Sequence, residues 1–370
     1  MKIRRCIRWS ILSQWTLFAV ALQITLAGSA SLVFAGAAPK EAQSPRTINF
    51  ATHAVGTVFN SVGTGLAKVA TDHGPIRVVV QPFSGPPAWV PSMSRDGKPE
   101  VGIINVIDVW QAYTGKLTPR PLPAGSPEMK PPYAAHPNLR LLKLGTSLFA
   151  GILVRADSPI KSLADLKGKR LTWDFPAFPP NILAGLSLLA TDGLSVKDVV
   201  TVPVPEVVSG VRALMEGRVD GAVAAVGMGI VSEADARVGV RFLPAGKEVE
   251  GVKVAEGIMP GAGVMLRPAG PAGIKTDIPL WAYGIAVISS THLPDEGAST
   301  LLKTWSEHWK ELEPTHPQLR GWSPERFVQK TATIPYHPGA IKFYKEKGTW
   351  TSEMERNQEV LLRGELPFLK

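Results

Sequence analysis

Two stretches far apart in the chain share one plan. "SMSRDGKPEVGIINVIDVWQAY", from Ser92 to Tyr113, and "VRALMEGRVDGAVAAVGMGIVS", from Val211 to Ser232, each run through a short helix, a polar turn carrying Asp or Glu, a Gly-containing apolar strand and a further helix. The same alternation recurs along most of the chain. "TINFAT" (Thr47 to Thr52), "IRVVVQP" and "VVTVPVP" are short apolar runs, and "NSVGTGLAKVATDHG" and "NILAGLSLLATDG" carry helical periods closed by glycine. Short apolar runs alternating with helical periods predict βαβ units with mostly parallel sheets. The internal echo predicts an α/β protein of two lobes of similar plan, the second inserted into the first. Lobe one is expected over 46–145 with 262–370 and lobe two over 146–261, each a mostly parallel sheet flanked by helices. Chain crossings near 140–153 and 252–267 would form the hinge. The Pro-rich stretch 116–138 reads as an irregular excursion.

Composition places this architecture in a globular protein: 45% hydrophobic and 19% charged residues among 370 exclude a disordered or fibrous chain. Residues 1–37 have the pattern of a cleavable signal peptide. Lys2, Arg4, Arg5 and Arg8 precede an apolar run from about Ile11 to Leu26, and small residues follow. An uncleaved membrane anchor is the alternative, but Ser13, Gln14, Thr16, Gln23 and Thr25 dilute the run. Cleavage would leave 36 basic and 31 acidic residues, a charge of +5 in place of +9, and would remove the sole cysteine, Cys6. The expectation is an exported, periplasmic, monomeric chain without disulfides or thiol chemistry. Lys and Arg are scattered without a dense patch, which argues against nucleic acid and favours a small anionic solute.

Catalytic and metal patterns are sparse. The seven histidines form no HExxH and no close pair in sequence at metal spacing, there is no GxSxG elbow, and "SPIK" (Ser158 to Lys161) is an isolated SxxK whose proline breaks the required helix. No cofactor and no metal are expected, and binding is favoured over catalysis.

In open α/β sheets, ligands bind beyond the carboxyl ends of the strands. Those ends are expected at His53–Phe59, Phe83–Trp89, Asn105–Asp108, Trp173–Asn181 and Ala225–Met228, which belong to both lobes, so the site should be the cleft between them. From the first loop come His53, Thr57, Val58 and Phe59, where Gly56 permits a turn and a helix start offers free N–H groups to an anion. Ser84 and Gly85 occupy a similar loop, with Trp89 beyond them. Asn105 can donate and accept; Asp108 is a candidate that an early-helix role would equally explain. From the second lobe come Trp173, Asp174, Phe175, Phe178, Asn181 and Gly227. The aromatics suit either a pocket wall or a lobe core. Asn181 is expected to cap the helix "ILAGLSLLA", and Pro176, Pro179 and Pro180 remove three N–H donors from its approach.

The stretches "TINFATHAVGTVFNSVGTGLAKV", "EVGIINVIDVWQAYTGK", "SPIKSLADLKGKRL", "ALMEGRVDGAVAAVG" and, most specifically, "ATIPYHPGAIKFYKEKGTW" resemble the TAXI-type solute-binding subunits of TRAP transporters, over nearly all the chain beyond the leader. The resemblance implies a two-lobed periplasmic-binding-protein type II fold that closes on a small carboxylate and delivers it to TRAP membrane subunits driven by an ion gradient. It also implies a structural, helix-starting role for His337. The chain departs from the family's pattern where ligand is held: "THAVGTVFN" replaces a glycine-rich first loop, and "DFPAFPPN" replaces a small-residue turn. The expected ligand is therefore a small organic acid with an apolar or aromatic portion. A periplasmic enzyme on the same fold, or a receptor for another transporter or a sensor, are the alternatives.

Overall fold

The structure is a computed structural model that describes residues 46–369 except 123–125 and 179. The expected leader over 1–37 lies outside the described residues. The strands are β1 (Thr47–Thr52), β2 (Arg77–Pro82), β3 (Val101–Asn105), β4 (Leu139–Leu144), β5 (Leu148–Arg155), β6 (Arg170–Asp174), β7 (Val200–Val204), β8 (Ala222–Ala225), β9 (Val240–Phe242), β10 (Gly263–Arg267), β11 (Ile278–Tyr283) and β12 (Ile285–Ser290). The helices are α1 (Val58–His73), α2 (Val90–Asp96), α3 (Val106–Thr114), α4 (Pro180–Ala190), α5 (Val207–Met215), α6 (Gly229–Val238), α7 (Val249–Ile258), α8 (Asp295–Glu307), α9 (Pro338–Glu346) and α10 (Ser352–Leu362). Among the described residues no helix is long and apolar enough to cross a membrane.

One sheet runs β2-β1-β3-β12-β4 and a second runs β10-β11-β5-β8 with β9 also on β5. The parallel pair β6–β7 joins the second sheet's neighbourhood through Leu171 beside Gly221 and through Val223 N–H donating to Thr172 Oγ1. Neither sheet is mostly parallel: the first is mixed and the ladders of the second are antiparallel throughout. β1, β2 and β3 pair in parallel, as the βαβ pattern requires, whereas β12 is antiparallel to both β3 and β4, and β5 is antiparallel to β8, β9 and β11. The reason is geometric: β5 and β12 enter their sheets from the opposite one, against the direction of the local strands.

The strands also place the two passages between sheets. The first is Gly145–Ser147, between β4 and β5. The second is Gly284, not 252–267: β10 and β11 hydrogen-bond into the sheet of β5, and residues 249–258 form α7. The segment after α8 braces the first passage, with Gln318 Nε2 donating to Ser147 O at 2.8 Å and Trp322 Nε1 to Thr146 Oγ1 at 3.0 Å.

Helix α1 shows how local chemistry positions the cleft. Thr57 caps it by accepting from Asn60 N–H, and Val58, Val62, Leu66 and Val69 form its buried stripe. Gly63 lets it lie directly on β1, since a Cβ there would sit 2.5 Å from Thr52 Cγ2. The start of α1 is thereby held at the carboxyl end of β1. His337 caps α9 by accepting from Gly339 N–H, and its Nε2 bonds Leu293 O at 3.0 Å, a structural role.

One core residue breaks the usual rule. Lys143 on β4 is fully buried with no hydrogen-bond partner for Nζ among the described residues, and Nζ lies 3.6 Å from the Phe327 ring centroid and 5.0 and 5.1 Å from those of Trp322 and Trp305. Cation–π attraction offers about 0.5–2 kcal/mol, against a desolvation cost of several kcal/mol for a buried ion. Desolvation wins, and burial holds the lysine well below its ordinary range. The unfolded chain therefore binds the proton more readily than the native one below the ordinary lysine value, so native stability rises as pH climbs towards that value. Lys143→Met should raise stability at pH 7 by about 1–4 kcal/mol, and this advantage should shrink as pH approaches about 10.4. Urea unfolding at both pH values reads the difference; a loss of stability in the variant at neutral pH would contradict it.

Candidate functional site

Between the two sheets lies a cavity with about 380 Å³ of atom-free space, part of it continuous with solvent. The β1–α1 loop contributes His53, Thr57, Val58 and Phe59, and the segment entering α4 contributes Phe178 and Asn181. The floor is formed by strands at the passages between sheets: Leu148 and Ala150 of β5 and Tyr283 of β11. Val207, Ala224, Ala225 and Met228 complete the wall.

The polar equipment is small and specific. His53 is buried, stacks on Phe59 (centroids 4.2 Å, 15°) and meets the edge of Phe178 (4.9 Å, 80°). Burial pushes its imidazole down to about 3, so it is neutral at physiological pH, and its Nε2 has no hydrogen-bond partner among the described residues. Asn181 is also buried, with its Nδ2 unpartnered. Two buried polar groups in the lining of this mostly apolar cavity thus have no hydrogen-bond partner among the described residues, which costs roughly 1–3 kcal/mol each unless something pairs with them.

The helix starts around the cavity differ in what they offer. α5 is already occupied by its own anion, since Glu206 accepts from Val208 N–H and Ser209 N–H at 2.7 Å each. α4 begins with proline, and Asn181 N–H is taken by Phe178 O at 3.0 Å. Asn181 therefore lies inside the first turn of α4 and is not its cap. At α1 the Thr57 hydroxyl accepts from Asn60 N–H and donates to Ala54 O, leaving the first-turn amides of Val58 and Phe59 beside the cavity.

Six of the expected site residues (His53, Thr57, Val58, Phe59, Phe178, Asn181) are brought together, and the remainder are placed elsewhere. Trp89 is fully buried beneath β3, its ring where a Cβ on Gly102 would fall at 2.5 Å, so it belongs to the core of the first sheet. Trp173 packs on Gly185 of α4, where a Cβ would lie 2.8 Å from the ring, and does not line the cavity. Phe175 is wholly buried, and Asp174 is exposed; both adopt left-handed backbone (φ 39° and 75°), a strained conformation for residues with side chains. Asn105 caps α3, its Oδ1 accepting from Ile107 and Asp108 N–H. Asp108 is buried in that first turn, accepts from the Tyr133 hydroxyl, and is pushed up to about 8 by burial against that hydrogen bond. Ser84 is exposed.

Gly85 and Gly227 stand at contacts across the cleft. A Cβ on Gly85 would lie 1.6 Å from Ala177 O, so the loops after β2 and β6 touch backbone to backbone. The carbonyl of Gly227 accepts from His316 Nε2 at 3.3 Å, while His316 Nδ1 accepts from Gln318 N–H. With Phe178 packed on His53, these contacts close the cleft over the cavity.

Sequence reasoning missed Leu148, Ala150 and Tyr283, which read as ordinary strand core, and His316, which lies in an irregular segment. Only a correct placement of the sheet passages could have found the first three.

Comparison with solved structures finds similar chains. The aliphatic sulphonate binding protein SsuA of Escherichia coli has 16% identity, a TM-score of 0.41, and coverage of 85% of this chain and 92% of that one. The alkanesulfonate-binding protein SsuA from Xanthomonas axonopodis pv. citri, bound to MOPS, has 16% identity and a TM-score of 0.42, covering 88% and 97%. A TctC solute binding protein from Polaromonas has 17% identity and a TM-score of 0.41, covering 74% and 86%. Residues 50–348, most of the chain, match the NMT1-like family, and the protein belongs to that family.

Proposed function

We propose that this protein is an exported solute-binding receptor that captures a small organic acid with an apolar portion and delivers it to a membrane transporter. One observation carries the reading: a mostly apolar cavity between two sheets, partly open to solvent, is lined by residues with two buried polar groups, Asn181 Nδ2 and His53 Nε2, that have no hydrogen-bond partner among the described residues. Pockets for small molecules combine a few convergent polar groups with apolar walls. The acid's carboxylate would take the Asn181 amide, the His53 N–H and the first-turn amides of α1, where the helix dipole favours negative charge. Phe59, Phe178, Leu148 and Met228 would enclose the apolar part. His53 stacks on Phe59 and meets Phe178 edge to face, and among the described residues no hydroxyl or carboxylate hydrogen-bonds to its ring, which supports binding over acid–base chemistry. In the finer reading the transporter is of the TRAP type and the protein a TAXI-type subunit, supported by the "IPYHPGAIKFYKEKG" stretch at Ile334–Gly348. The lobes of that reading would be the two sheets with their helices, hinged at Gly145–Ser147 and Gly284.

A thermal-shift screen over small aliphatic and aromatic carboxylates, with aliphatic sulfonates and polar amino acids as comparison arms, tests the proposal. Monocarboxylates with an apolar tail should raise the melting temperature. Stabilisation by polar amino acids alone, or turnover of any stabilising solute, would overturn it.

A further inference from the structure

Away from the cleft, three side chains converge at the far end of α1. His73 is the last residue of α1, His308 ends α8, and Glu311 lies in the turn that follows. The two imidazoles stack with centroids 3.9 Å apart and planes 13° apart. Glu311 bridges them, one carboxylate oxygen 2.6 Å from His73 Nε2 and the other 2.9 Å from His308 Nδ1. One donor atom from each residue falls within 4.8 Å of the others.

We propose that His73, His308 and Glu311 form a site for a divalent transition-metal ion of the zinc class. Two imidazole nitrogens and one carboxylate oxygen are the donor types that borderline metals such as Zn²⁺, Ni²⁺ and Cu²⁺ select. Bond lengths of about 2.0–2.2 Å to such an ion require donors roughly 3.3 Å apart in a tetrahedron, and here one donor atom from each residue lies within 4.8 Å of the others. The imidazoles would bind through His73 Nε2 and His308 Nδ1, each carrying its proton on the opposite nitrogen. The fourth position would hold water.

The backbone supports a cation here independently of the side chains. Both α1 and α8 end at this point, so the partial negative charge of two helix C-termini lies beside it. Glu311 accepts from both imidazoles through its two carboxylate oxygens, so its side chain already faces the two histidines that would share the ion with it. Of the lysines near Glu311, Lys68 shares a groove with it and is paired with Asp72, and Lys310 lies over the Trp309 ring. A bound ion would clip α1 to α8, and α1 is the helix whose opposite end faces the cavity.

Titration calorimetry of tag-free protein with Zn²⁺, and absorption spectroscopy with Co²⁺, test the site. The protein should bind one equivalent, with a Co²⁺ visible spectrum of low-symmetry tetrahedral or five-coordinate type. His73→Ala and His308→Ala should each weaken Zn²⁺ at least roughly tenfold, and the exposed Glu311→Gln should weaken it while leaving circular dichroism unchanged, which guards against loss of fold. Absence of zinc binding in the wild type, or an unchanged affinity in Glu311→Gln and in the double histidine variant, would overturn the proposal and leave a hydrogen-bonded His–Glu–His cluster.

Discussion

Replacing Gly85 by valine should weaken solute binding roughly 100-fold while leaving the protein folded. The backbone at Gly85 is extended (φ 175°), a conformation open to any residue, so the restriction is space and not strain. A Cβ would lie 1.6 Å from the carbonyl oxygen of Ala177, and both atoms belong to short loops held in place. The 174–178 turn is pinned by Ala177 N–H to Pro205 O and Phe178 N–H to Phe175 O, so it cannot yield cheaply. The valine can be accommodated only by separating the two sheets at this rim, which withdraws Phe178 from His53 and opens the cavity to water. If the binding-competent arrangement becomes rare, the apparent affinity falls by the same factor. A penalty of about 3 kcal/mol corresponds to a loss of roughly 100-fold. Titration with the acid that most stabilises the wild type measures the loss. The melting temperature without solute should stay within a few degrees of wild type. Wild-type affinity in the variant would show that the Gly85–Ala177 contact is not part of the bound state.

The second large effect concerns stability. Trp173→Ala should cost about 3–5 kcal/mol, the usual range for removing a large buried aromatic. The indole lies between β6 and α4, in contact with the face opened by Gly185, and α4 supplies the buried residues Leu183, Leu186, Leu188 and Leu189. Its loss leaves a void under a helix whose first turn carries Asn181, so weakened binding would be secondary to weakened folding. Urea unfolding should show the full loss without any solute. A variant as stable as the wild type that had lost only solute affinity would return Trp173 to the cavity wall.

These two residues also show what the sequence could and could not reveal. The alternation of apolar runs with helical periods made the strands and helices legible: β1 lies over Thr47–Thr52 as its pattern predicts, and the carboxyl ends of β1 and β6 lead to the cavity. The aromatics near those ends were ambiguous, because burial in a core and exposure to a cleft favour the same residue types. Trp89 and Trp173 sit over glycines, Gly102 and Gly185, and that pairing is visible only once strand and helix are docked. Asn105 presented similar chemistry to Asn181, yet its oxygen is spent on capping α3 whereas the Asn181 amide nitrogen is left over. The run "LWAYGIAVISS" reads as one apolar strand. It is two, divided at Gly284 between separate sheets, and hydrophobic periodicity does not register a change of partner. Tyr283 was overlooked for that reason.

The most direct measurement is titration calorimetry of the best-stabilising carboxylate against the wild type and against Asn181→Leu and His53→Phe, which remove one unpaired polar group each at similar volume. Hydrogen bonds to a charged partner contribute about 1.5–3 kcal/mol. Each variant should therefore bind roughly 10–150-fold more weakly, while folding at least as well as the wild type without solute, because an unsatisfied buried group has gone. Unchanged affinity in both variants would mean that the acid does not meet these groups, and the cavity between the sheets would not be the site.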